Sequence, residues 1–363
     1  MQRILSDQLA GKIGETVTIA GWVHRRRLLK SVAFLVVRDA GGFAQVVADA
    51  ATRAQVAGLT EESVVEVTGM VTRNAAAPAG VELTRPSVRT VSSASVPLPV
   101  ELHRPALTAT MPTQLDHAAL SLRHPTRSTA LRIAAAATAG FRGVLAGRRF
   151  VEIQTPKIVA AATESGANVF GVDWFGRPAF LAQSPQFYKQ LMVGVFERVF
   201  EVGPVFRAEP HDTARHLAQY TSLDAEMGFI TDHRDVMAVL TATLAGMAAA
   251  VAPWAELTVP GEIPAVHFTE ALAIAGAPDD EPDLAPAHER ALGEWARREH
   301  GSDFVFVTGY PMGKRGYLDG FRYGMPPHGG FAIGLERFVA RLTGAANVRE
   351  VTAFPRDLHR IVP

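Results

Sequence analysis

The 363-residue sequence predicts an α+β protein: a small five-stranded β-barrel, then a larger domain built on an antiparallel sheet with flanking helices. Three observations predict this. Residues 15–92 hold five short β-branched runs of period two, and 93–125 is spaced by prolines. Beyond residue 150, strand-like and helix-like segments mix without the regular alternation of a parallel sheet.

The barrel runs are TVTIAGWVH, VAFLVVRD, FAQVVAD, SVVEVTGMVT and VELTRPSVRTV, with Gly, Asp, Asn and Pro turns between them. ATRAQVAGL reads as a helix between the third and fourth runs. Five strands with a helix there is the layout of an OB-fold, whose open face commonly binds single-stranded nucleic acid. The barrel is expected over 1–95 and a linker over 96–125, with Pro97, Pro99, Pro105, Pro112 and Pro125 in or beside it. RSTALRIAAAATAGFRGVLAGR then opens the second domain, 126–363, as a long helix ending near Gly147. Strands are expected at 178–182, 197–207, 221–230, 303–308 and 329–334. Helices are expected at 184–194, 233–252, 286–299 and 335–343, with a surface loop at 273–287.

Composition narrows the function classes. Lys plus Arg equals Asp plus Glu, 36 each, so a nucleic-acid surface must be a local patch. With no cysteine, disulfides, thiolate zinc sites and cysteine nucleophiles are excluded. MQRILSDQLAGKIGE has no apolar core of a signal peptide, and TATLAGMAAAVAPW reads as too short to span a bilayer. The chain is expected to be cytoplasmic and free of membrane.

No P-loop, GxGxxG, HExxH or GxSxG occurs. Chemistry concentrates in three stretches. In VFRAEPHDTARHLAQYTSLDAE, Arg207 and Glu209 share one strand face, and HDTARH adds further cations. A guanidinium suits a phosphate and a carboxylate suits an exocyclic amine, although an isolated R-x-E is also an ordinary strand-face ion pair. In GGFAIGLERFVARLTG, a Gly-rich strand runs into a helix with Leu335, Phe338, Val339 and Leu342 on one face and Arg337 at the junction. In AFLAQSPQFYKQLMVG, Ser184 is expected to N-cap a helix with Pro185 at its first position, gathering Gln183, Gln186 and Lys189.

Together these stretches resemble the class II aminoacyl-tRNA synthetases, in the aspartyl/asparaginyl branch and its archaeal form. GRRFVEIQTPKIV is similar to the family's motif 1, FRAEPHDTARHLAQYTSLDAEMGF to motif 2 and GGFAIGLERF to motif 3. TESGANVF, FLAQSPQFYKQ and the trailing NVREVTAFPRD also match, and the N-terminal run resembles the family's anticodon-binding OB-fold. The resemblance implies ATP-dependent activation of an amino acid, aspartate or a relative, as its adenylate, and transfer to tRNA. ATP and Mg2+ are the implied cofactors. A homodimer through motif 1 around Pro156 is the implied assembly.

Residue by residue, the resemblance implies Arg207 on the α-phosphate, Glu209 on adenine and Arg337 on the γ-phosphate, with Phe206 or a neighbour stacking the base. His211, Arg215 and His216 fall on the loop that meets ATP and the acceptor end. Glu164 would bind the amino group, and Gln186 and Lys189 would line the amino-acid pocket. Phe34 would stack an anticodon base while Gln45 and Glu82 read base edges. Asp224 and Glu226 would contribute to the metal.

The sequence departs from the family at one place. Between a YP strand end and motif 3, the family carries further strands with a metal-binding G-x-E and an arginine for the substrate's side-chain carboxylate. Here the chain passes from Tyr310-Pro311 almost directly to Phe321-Arg322-Tyr323, with Arg315 and Arg322 as the available cations. That shortening suits a second class of reading: a repurposed paralogue, either an adenylate-forming enzyme with a non-tRNA acceptor or a non-catalytic tRNA- or nucleotide-binding protein.

Overall fold

The computed structural model describes residues 2–95, 97–161, 168–208, 210, 212–310 and 324–362. The chain divides into two compact units, Met1–His124 and Pro125–Pro363.

In the first unit, β1 (Thr16–Leu28), β2 (Ala33–Arg38), β3 (Phe43–Ala48), β4 (Val64–Arg73) and β5 (Val81–Ser92) close a barrel in the order β1-β2-β3-β5-β4. Period-two patterning makes it. Ile19, Val23, Leu35, Val46, Val67 and Leu83 face inward and are fully buried, while alternate residues face out. Between β3 and β4 runs α1 (Ala50–Gly58), as the sequence predicts; Asp49 caps it by accepting from the N–H groups of Ala51 and Thr52. Those hydrogen bonds, led by that from Thr52, hold the Asp49 carboxyl below its usual range.

The proline-spaced stretch is not structureless. It forms two short helices, α2 (Met111–Asp116) and α3 (Ala118–Ser121), because Thr110 caps the first and Pro112 sits in its opening turn. Arg123 then donates to Glu62 Oε2 at 2.9 Å, and Arg38 holds the same carboxylate at 2.9 and 2.8 Å. Both guanidiniums lie over the Trp22 ring, 5.7 and 5.6 Å from its centroid.

The second unit begins with α4 (Pro125–Gly147) and β6 (Val151–Glu152), then β7 (Ile158–Val159), β8 (Gly171–Trp174), β9 (Arg177–Leu181) and α5 (Gln186–Phe196). The central hairpin follows, β10 (Arg198–Phe206) and β11 (Gln219–Gly228), then α6 (His233–Val251), β12 (Ala265–His267), α7 (Phe268–Ala275), α8 (Pro286–His300), β13 (Phe306–Thr308), β14 (His328–Gly334) and α9 (Leu335–Thr343). The main sheet has the order β14-β11-β10-β6. Its two larger pairings are antiparallel, as expected, and β6 joins parallel. Phe141 of α4, Leu223 of β11, Met247 of α6 and Val339 of α9 meet in its core. Although α6 is long and apolar enough to cross a membrane by length and composition, here its Val239, Met247 and Val251 are buried in that core. Gly140 lets α4 approach it closely, since a Cβ there would stand 2.8 Å from the Gly246 carbonyl oxygen.

Two local expectations are corrected. The helix at 184–194 starts at Gln186 with Pro185 as its N-cap, and Ser184 accepts a long 3.4 Å bond from the Gln186 N–H. The predicted loop at 273–287 shrinks to 276–285, because α7 runs on to a left-handed Gly276 that stops it.

Candidate active site

The site is laid out along β11. At its N-terminal end, a cavity of about 220 Å3 is lined by Arg207, Arg215, Tyr220, Ser222, Gly334 and Arg337, among others. Antiparallel pairing makes this possible: β10 delivers Arg207 just past its end, and Ser222 pairs with Gly334, which starts the α9 turn carrying Arg337. The fold thus brings Arg207, Arg215 and Arg337 to one cavity. Arg337 Nε donates to the Arg215 carbonyl at 3.1 Å, and Arg207 lies over the Tyr220 ring at 5.8 Å. Phe206 is half-buried at the end of β10. His216 is not among the residues lining the cavity; its Nδ1 faces Thr213 Oγ1 at 2.6 Å. Glu164, Glu209 and His211 lie outside the described residues, as do Arg315 and Arg322.

Towards the C-terminal end of β11, the alternate residues Asp224 and Glu226 share a face with Lys189 of α5. Lys189 Nζ is 3.1 Å from Asp224 Oδ1 and 3.4 Å from Glu226 Oε2, and each of the three side chains is only 3% exposed. Gln186 also bonds Glu226, and His328 Nε2 stands 4.0 Å away. Burial raises the Glu226 carboxyl above its usual range, against the lowering charges of Lys189 and His328. Asp224 Oδ2 is buried without a hydrogen-bond partner among the described residues. Such an orphaned acceptor costs about 1–3 kcal/mol unless a ligand donates to it. Gly330 of β14 is obligatory opposite this pocket: a Cβ there would collide with the Glu226 carboxylate and the Ala225 carbonyl.

Asp224 and Glu226, the expected metal ligands, both pair with the Lys189 ammonium. No cluster of three or more His, Cys, Asp or Glu with metal-binding geometry occurs among the described residues.

Several functional side chains escape the sequence reading. Arg349 donates to Asp212 Oδ1 at 2.7 Å, the Thr213 carbonyl at 3.2 Å and Asp357 Oδ2 at 2.6 Å, pinning the loop that carries Arg215. Burial alone would raise Asp357, but hydrogen bonds led by that of Arg349 bring it below its usual range. Glu336 accepts twice from the Thr221 N–H, at 3.0 and 3.1 Å, tying α9 to β11; burial raises its carboxyl. Tyr220 and Leu217 line the cavity. A long-range partner identifies Arg349 and Glu336, and neither carries a local signal.

On the barrel, Phe34, Gln45 and Glu82 lie on one outer face, alternating with buried Leu35, Val46 and Leu83. Gln45 Nε2 donates to Glu82 Oε2 at 2.8 Å, and Asn74, unforeseen, donates to the same oxygen at 2.7 Å. Arg27 stands 5.7 Å from the centroid of the Phe34 ring.

The chain is similar to known proteins over its whole length. The family pattern described as tRNA synthetases class II (D, K and N) matches residues 110–316 and 313–358. An OB-fold nucleic acid binding domain matches 17–91. The aspartate–tRNA(Asp/Asn) ligase of Deinococcus radiodurans is 39% identical, covering 100% of this chain and 99% of that protein. The ligase of the same name from Thermus thermophilus is also 39% identical, over 99% and 100%. The fold matches that of Pyrococcus horikoshii asparaginyl-tRNA synthetase complexed with asparaginyl-adenylate, with TM-score 0.87 and 23% identity over 100% of both chains. The chain belongs to the class II tRNA synthetases, in their aspartyl/asparaginyl branch. It is an ATP-dependent aminoacyl-tRNA ligase with an N-terminal anticodon-binding barrel.

The comparisons also locate the shortening. The Deinococcus alignment spans 439 positions against 363 residues, so at least 76 positions have no residue of this chain opposite them. The two family segments meet and overlap at 313–316, between β13 and β14.

Proposed function

We propose that the chain activates aspartate and charges the tRNA species of aspartate and asparagine. The observation that carries this is the meeting of Arg207, Arg215 and Arg337 on one cavity at one end of β11, with buried Lys189 at the other. Arg207 grips the α-phosphate, Arg337 the γ-phosphate, Glu209 the adenine, and His211, Arg215 and His216 the remaining phosphates and acceptor end. Lys189, aimed by Asp224 and Glu226, receives the aspartate side chain; Gln186 and Glu164 complete that pocket, and Asp224 Oδ2 accepts from the substrate. The whole-length relatives named for tRNA(Asp/Asn) favour this substrate pair over a non-tRNA acceptor.

An aspartate α-carboxylate oxygen attacks the α-phosphorus, the bond to the bridging oxygen breaks, and pyrophosphate leaves with the electron pair. A ribose hydroxyl of tRNA then attacks the carbonyl carbon and AMP leaves. Neither step needs a protein nucleophile; both need positioning and neutralised charge. When bound, Mg2+ would offset phosphate charge beside the arginines, with Asp224 and Glu226 as the carboxylates expected to contribute to it. Phe34 stacks an anticodon base beside Gln45 and Glu82. A homodimer through motif 1 around Pro156 and a cytoplasmic location complete the reading.

Aspartate-dependent exchange of labelled pyrophosphate into ATP tests activation, and charging of both tRNA species tests transfer. A panel of amino acids in which aspartate supported no exchange while another did would reassign the substrate.

A further inference from the structure

A second cavity of about 600 Å3 adjoins the first and shares Arg215, Arg337 and Val348 with it. It runs between α8 and α9, over a floor of Gly293, Gly344, Ala345 and Ala346 that offers no bulky side chain to close it. Arg341 lies one turn beyond Arg337 on the same face of α9, and Arg290 and Arg297 share a face of α8. Five arginines and three acids line the groove.

We propose that this groove is the exit path of pyrophosphate, with Arg290, Arg297 and Arg341 forming a second anion station beyond the ATP cradle. The inference rests on the activation reading above and extends it. Along β11 the order is fixed: the amino-acid pocket at Asp224 and Glu226, the phosphate cavity at Tyr220 and Ser222, then the groove beyond Arg215 and Arg337. In-line displacement places the leaving oxygen opposite the attacking carboxylate. The leaving group therefore departs away from Lys189, towards Arg337 and the groove. An acceptor hydroxyl must instead reach the carbonyl carbon on the Lys189 side, so the geometry favours the small anion over an RNA strand here.

The station's charges are free to change partners. Asp303 serves both Arg297, at 3.3 Å, and Arg341, at 3.8 Å, and all three side chains are 41% exposed or more. Arg290 is exposed and has no ion-pair partner among the described residues. Pairs this exposed are weak, so a polyanion displaces them readily and leaves readily.

The test is exchange kinetics of the full chain carrying Arg290→Ala and Arg341→Ala together, with Arg341→Lys alone as the conservative variant. The double variant is expected to raise KM for pyrophosphate roughly five- to tenfold, with KM for ATP and aspartate unchanged, and the lysine variant to retain most of the wild-type value. An unchanged KM for pyrophosphate overturns the proposal. So does an equal rise in KM for ATP, which would assign the arginines to the cradle, or a rise confined to KM for tRNA, which would assign the groove to RNA. If the wild-type chain shows no amino-acid-dependent exchange, the activation reading fails separately. Calorimetric titration with pyrophosphate then decides the station, which falls if the double variant binds as tightly as wild type.

Discussion

The two ends of β11 grip charge in opposite ways. At the phosphate end Arg215 and Arg337 stand at the surface and Arg207 is half-buried, with Arg337 bonded to the Arg215 carbonyl. At the amino-acid end Lys189 is sealed between two carboxylates, with almost no surface of its own. The difference follows from the ligands. A triphosphate carries enough charge to organise mobile cations, and pays little for remaining partly solvated. A small amino acid differs from its competitors by one group, and only a dry, pre-oriented pocket makes that group count.

This contrast is broken most severely at Lys189. Lys189→Ala leaves two buried carboxylates without their cation, so unfolding free energy is expected to fall by about 3–5 kcal/mol, with loss of exchange. Chemical denaturation beside the exchange assay checks both. Arg207→Ala sharpens the contrast from the other side. It is expected to lower kcat/KM for ATP about 100-fold or more while moving the denaturation midpoint less than Lys189→Ala does, because the Arg207 side chain is only half-buried. An equal stability loss in the two variants would erase the distinction.

The barrel supplies smaller effects. Phe34→Ala should weaken tRNA binding by about 1–3 kcal/mol without altering exchange, measured by comparing KM for tRNA with KM for ATP. His24 gives a pH dependence. Burial first, then the charge of Arg38, lower it to about 4 from an ordinary 6.5. The folded barrel therefore keeps His24 neutral where the unfolded chain protonates. Its contribution is fully present above pH 6.5 and is lost as pH falls towards 4. Melting curves across that window should flatten in His24→Gln.

The sequence made the barrel legible because period-two burial is a local signal: Leu35 and Val37 point in, Phe34 and Val36 out, and no distant residue is needed to see it. The phosphate grips were legible through the spacing of two charged stretches and their resemblance to known motifs. What escaped was long-range. Arg349 reaches Asp212 across 137 positions, and Glu336 reaches Thr221 across 115, so neither role has a footprint in its own neighbourhood. Asp224 and Glu226 were visible as acids, but only packing shows that a lysine lies between them. The helices at Met111 and Ala118 were masked by the prolines around them, although Thr110 and Pro112 form an ordinary helix start.

Glu62 has a practical consequence for dissecting the chain. Its backbone is left-handed, with φ +64, and its carboxylate joins Arg38 on the barrel to Arg123, beyond the proline-spaced stretch. A fragment cut after residue 95 would strip away Arg123 from both the Glu62 carboxylate and the Trp22 ring and leave Arg38 to hold them alone. Ending it after His124 keeps both clasps, and the longer piece is the one to express when the anticodon module is studied by itself.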